Sequence, residues 1–73
     1  MRRDEVEKIV QERPFRPFEI RLVDGERWNF SSPEQYVLTK GTIKAQDRKG
    51  WTHYLDLNLI LKITIMNDGI GRS

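Results

Sequence analysis

The chain contains no cysteine and a single histidine, His53, so two common supports of a small domain are missing. Without cysteine there is no disulfide, and one histidine with no thiolate nearly excludes a zinc site. A long apolar run is absent as well. The densest stretch, Leu55 to Met66, is broken by Asp56, Asn58 and Lys62 and is too short and polar to span a bilayer. Charge of one sign is scarce: 13 Lys and Arg face 11 Asp and Glu, a net of +2. The pI near 9.2 reflects the lack of groups titrating between carboxylates and lysines, not a field strong enough to draw nucleic acid. The first residues, Met1-Arg2-Arg3-Asp4-Glu5, are charged and lack the apolar core of a signal peptide. These absences predict a cytoplasmic protein with no membrane partner, no cofactor and no metal.

At 73 residues the chain is expected to form one domain over 1–66, with a flexible tail at 67–73. A chain of this length buries only about 60–65% of its unfolded surface, so its stability margin is thin. Oligomerisation is the remaining way to cover more apolar area.

What the sequence does have is alternation. A helix is predicted over about 4–13: Asp4 caps it, Glu7 completes a box-like start, and Val6, Ile9 and Val10 form one stripe. Pro14 ends the helix and drives Arg13 out of helical angles. A helix of about ten residues is too short to stand alone in water, so its stripe must pack on the strands, about 16–66.

Arg16 to Phe30 alternates on both sides of Asp24-Gly25, the mark of a β-hairpin. A two-residue turn would pair Ile20 with Asn29 and Arg21 with Trp28, mixing apolar with polar. A three-residue loop, Val23-Asp24-Gly25, instead pairs Ile20 with Trp28 and Phe18 with Phe30. That choice gathers Phe18, Ile20, Leu22, Trp28 and Phe30 on one face, with Gly25 in the left-handed conformation. The same grammar recurs in Asp47-Arg48-Lys49-Gly50-Trp51, pairing Ala45 with His53 and Ile43 with Leu55. The other face then holds Thr42, Lys44, Gln46, Thr52 and Tyr54. Ser32-Pro33-Glu34-Gln35 reads as a capped helical turn. Gly41 separates the strands Tyr36–Lys40 and Thr42–Gln46 as a tight turn or a bulge.

Leu55, Leu57, Leu59, Leu61, Ile63 and Ile65 alternate without a miss. A single strand from Trp51 to Met66 would reach about 50 Å at about 3.3 Å per residue. The expected radius of gyration is only about 11 Å, so the chain must bend. Asp56-Leu57-Asn58 holds the turn-forming residues, which predicts strands at about 51–56 and 60–66. The predicted core is Val6, Ile9, Val10, Phe18, Ile20, Leu22, Trp28, Phe30, Ile43 and Leu55 through Ile65.

The order helix, strand, Asp-Gly, bent strands, brief turn and final apolar strand is similar to the Sm-like fold, especially the bacterial Sm-like RNA chaperones. Ile20-Arg21-Leu22-Val23-Asp24-Gly25 with Trp28, Gln35-Tyr36-Val37-Leu38, and Ile60-Leu61-Lys62-Ile63-Thr64-Ile65 carry the likeness over most of the chain. Those chaperones place Tyr-Lys-His before the last strand, where this chain has Leu57-Asn58-Leu59, and the Sm-type Arg-Gly-Asn is absent. Arg13-Pro14-Phe15-Arg16-Pro17-Phe18 with Leu22-Val23-Asp24-Gly25 and Pro33-Glu34 also resembles a family of short uncharacterised bacterial proteins, which implies fold and size only. The expected class is mainly β with one N-terminal α-helix (α+β). Five or six antiparallel strands would form an SH3-like or Sm-like small barrel.

No nucleophile, base and orienting acid fall into a recognisable pattern, so an enzyme ranks last. By parity His53 shares the Leu55 face beside Trp51, a packing position. Lys44, Arg48, Lys49 and Tyr54 are the candidate nucleic-acid contacts, since cations meet phosphates and an aromatic ring stacks bases. The rival reading, ranked ahead, is a solvated strand face whose lysines deter edge pairing. Pro14-Phe15-Arg16-Pro17 matches a P-x-x-P recognition segment, though stiffening the helix-to-strand crossing with Phe15 and Phe18 inward ranks above it. Leu61, Ile63 and Ile65 form a candidate self-association edge, much as Sm-like proteins close rings. The favoured function is a non-catalytic interaction module for a protein partner or a second copy in a homo-oligomer. The alternative is an Sm-like RNA-binding protein.

Overall fold

Odd–even sorting brings the first hairpin to the expected register, with Phe18 opposite Phe30 and Ile20 opposite Trp28. The computed structural model describes residues 1–66, and the expected tail at 67–73 lies outside them. Helix α1 (Arg3–Val10) precedes strands β1 (Phe18–Leu22), β2 (Arg27–Phe30), β3 (Tyr36–Thr39), β4 (Thr42–Gln46), β5 (Thr52–Asp56) and β6 (Ile60–Ile65). Single 3-10 turns, Pro33–Gln35 and Leu57–Leu59, sit before β3 and between β5 and β6.

Both three-residue loops form as their parity requires. Gly25 and Gly50 take φ of +93° and +87°, where a side chain would be strained. Gly41 is a turn, not a bulge: Thr39 pairs with Thr42 across Lys40-Gly41. Ser32 and Gln35 cap the first 3-10 turn reciprocally.

The strands make two antiparallel sheets, ordered β2-β1-β6 and β3-β4-β5. The expected closure into a barrel is not seen, because among the described residues no strand pairing joins the sheets. After Phe30 the Ser31 N–H is taken by the Gln35 side chain at 2.7 Å, at the start of the turn that leads into the second sheet. The two inner faces share one core, led by Phe18, Ile20, Phe30, Tyr36, Ile43 and Leu55.

The helix departs from expectation at both ends. Asp4 is not the cap; it lies in the first turn and its carboxylate meets Arg2 at 3.3 Å. The helix stops at Val10, short of residue 13. There Glu12 N–H turns back to the Ile9 carbonyl in a tighter bond, ahead of a cis Arg13–Pro14 peptide. Val6 and Val10 are buried, whereas Ile9 lies at the stripe's margin, partly exposed. Tyr36 ties the helix end to the second sheet by donating its hydroxyl to the Val10 carbonyl at 2.6 Å. Burial raises the pKa of that phenol, against a smaller lowering pull from Arg13.

The final apolar run is sorted differently from its alternation. Leu57 and Ile60 are fully buried, but Leu59 and Leu61 are 48% and 57% exposed, which corrects the expected core. A 3-10 turn returns to the same face after three residues, so burial passes from Leu57 to Ile60. A register shift then places Leu22 opposite Ile60 and Arg21 opposite Lys62, leaving Leu61 as the extra residue of a bulge. Ile63 and Ile65 return inward as partly buried neighbours of the core. The bend holds the described chain to extents of 34 × 29 × 23 Å.

Candidate functional site

An open groove of about 920 Å³ lies between β2 and the β4–β5 hairpin. All four residues of β2 line it, odd and even alike, as a strand edge does and a strand face does not. Hydrogen-bond phase shows why. The Leu22 N–H donates to the Glu26 carbonyl at 2.8 Å. In an antiparallel ladder that phase puts the main-chain groups of Trp28 and Phe30 towards β1. Those of Arg27 and Asn29 then point the other way, into the groove, with no strand partner among the described residues.

Side chains give the groove its floor and walls. Trp28 is partly buried; its indole N–H donates to Glu26 at 3.0 Å, and its ring lies near-parallel to Phe30 at 6.3 Å. His53 meets Trp28 edge-on at 5.0 Å. Its expected neighbour, Trp51, is instead 69% exposed and lies just before β5. His53 Nε2 lies 2.9 Å from an Asp47 oxygen, and the other Asp47 oxygen accepts the N–H groups of Lys49 and Trp51. One carboxylate thus closes the β4–β5 turn and orients the ring that touches Trp28.

Those bonds hold the Asp47 carboxyl below its usual 3.8, with the His53 hydrogen bond the largest cause and the Trp51 N–H next. A depressed folded value means stability that is complete above the ordinary carboxylate range and is lost as pH falls through the folded value. Melting temperatures measured from about pH 6 down to about pH 2 are therefore expected to fall more steeply for the wild type than for Asp47→Ala. Parallel curves would contradict the bonding at this turn.

The histidine–aspartate pair has two of the three parts of a hydrolytic triad. Ser31 also lines the groove, but its hydroxyl is within 3.5 Å of Gln35, and among the described residues no hydroxyl is bonded to His53. Among the described residues no three His, Cys, Asp or Glu side chains converge as a metal site. The groove carries carboxylates at Glu26, Glu34 and Asp47 and guanidiniums at Arg27 and Arg48.

The sequence-derived sites are dispersed. Lys44 and Tyr54 are directly opposite on the exposed face of the second sheet, with Val37 completing the row. Arg48 belongs to the groove and Lys49 to the exposed turn, so the four proposed nucleic-acid contacts do not line one surface. Leu61 faces outward while Ile63 and Ile65 face the core, so the expected apolar edge strip is split by the bulge. Phe15 packs on the core beside Phe18 at 5.9 Å. The β2 edge was missed by sequence reading, although the Ser-Pro-Glu-Gln turn that frees it was legible.

Comparison with family models, curated protein sequences and solved structures finds no significant match. The groove's chemistry therefore rests on its own residues.

Proposed function

We propose that this protein is a non-catalytic interaction module that receives an extended segment of a protein partner along β2. The carrying observation is the unpartnered Arg27 and Asn29 main chain inside the groove. An added strand satisfies such groups by main-chain bonds, while side chains at alternate positions read pockets on either side. In this reading the two sheets are halves of an SH3-like or Sm-like small barrel, open along β2, and the partner's strand occupies the gap. Trp28 supplies the aromatic contact area expected at the centre of such an interface.

A second reading, self-association through β6, is favoured by one further observation. Met66 N–H donates to the Pro17 carbonyl at 2.8 Å, a phase that turns the main-chain groups of Ile63 and Ile65 away from β1. The groove described above borders β2 and not β6, so β6 ranks behind it.

A random-peptide selection followed by titration separates the readings. Binders are expected to lose about tenfold or more in affinity to Trp28→Ala, which removes the central aromatic contact. Binders indifferent to Trp28 contradict docking on β2. A mass above 8.7 kDa without peptide supports the β6 reading. Nucleic acid that co-purifies with the protein and is removed by nuclease supports the RNA-binding alternative.

A further inference from the structure

Across the outer face of the first sheet, three cations stand in one row. Arg27 is directly opposite Arg21, and Arg21 is directly opposite Lys62. Like charges in such positions oppose folding. None of the three is in an ion pair: the bridges of the described residues are Arg2–Asp4, Arg16–Glu12 and His53–Asp47. Arg21, the middle member, is partly buried, and its Nε is sequestered with no hydrogen-bond partner among the described residues. The nearest carboxylate along β1, Glu19, is one row away, about 7 Å along the strand. The row ends at Arg27, on the edge that faces the groove.

Resting on the reading of β2 as a docking edge, we propose that the partner segment is antiparallel with an acidic side chain opposite Arg27. Arg27 and Asn29 make the main-chain bonds, so the residues facing them share the outer face. The residue facing Trp28 points inward, over the Trp28 and His53 rings. From its N-terminus the segment therefore reads polar opposite Asn29, apolar opposite Trp28 and acidic opposite Arg27. The carboxylate becomes the fourth member of the row and supplies the charge it lacks. A nucleic acid strand fits this edge less well, since the exposed aromatics Trp51 and Tyr54 lie on the other sheet or its turn.

The test uses a blocked synthetic heptapeptide with Thr-Val-Glu at its centre, beside versions with Gln or Lys replacing Glu. Binding is followed by amide chemical shifts. The Glu peptide is expected to bind about tenfold tighter than the Lys peptide at low salt, with the gap narrowing as salt rises. In Arg27→Glu, an exposed position, the order should reverse. Equal binding of all three peptides, or an unchanged order in Arg27→Glu, overturns the acidic preference and leaves the docking edge standing. No peptide binding up to millimolar concentration overturns both. Single-stranded RNA binding at this edge in place of peptide also overturns the proposal.

Discussion

Phe18→Ala is expected to lower stability by about 3–5 kcal/mol, the usual cost of emptying a buried phenylalanine site. Phe18 is 2% exposed and joins both sheets to the crossing from the helix. Its ring centroid lies 5.9 Å from Phe15, 5.5 Å from Phe30 and 5.6 Å from Tyr36. Its strand neighbours Ile20 and Ile65 are held by their own pairings, which limits how far the site can close. A domain of this size holds only about 5 kcal/mol in reserve, so the variant should be largely unfolded at room temperature. Urea denaturation followed by tryptophan fluorescence checks this. A loss under about 1 kcal/mol would mean that the aromatic cluster is not the core.

The second large effect is a contrast between neighbours. Ile60→Asp should abolish the fold, since a carboxylate at a fully buried site lacks any partner. Leu61→Asp, one residue later at the exposed bulge, should change stability by no more than about 0.5 kcal/mol. Strict alternation from Leu55 to Ile65 predicts the reverse. The pair of melting curves therefore reports directly on the parity slips in this segment.

That contrast also marks where the sequence was readable. Both hairpin registers followed from parity because each loop is anchored by Asp and closed by a glycine at positive φ. Length required a bend and the turn-forming residues placed it at Asp56-Leu57-Asn58, where Asp56 does accept the Asn58 N–H at 2.9 Å. Which residues turn inward afterwards was not legible. Leu59, Ile60 and Leu61 are all aliphatic, so apolarity cannot distinguish two phases, and only the 3-10 geometry and the bulge choose between them. The helix end was missed for a related reason. Pro14 limits how far a helix runs but does not say how much earlier it yields to the crossing. The groove was hidden because it depends on an edge, and edges are set by which strands fail to pair. His53 illustrates the mixture: its inward face was read correctly, but its neighbour across the sheets, Trp28, belongs to a strand that sequence spacing does not bring near it.

The claim on which the function rests is that the outer edge of β2 is open. Amide hydrogen exchange of the isolated protein measures this residue by residue. The account predicts alternating behaviour, with Trp28 and Phe30 amides protected by β1 and Arg27 and Asn29 amides exchanging fast until an extended peptide binds. Protection of Arg27 and Asn29 in the free protein would show that edge already paired, and β2 would have no place left for a partner.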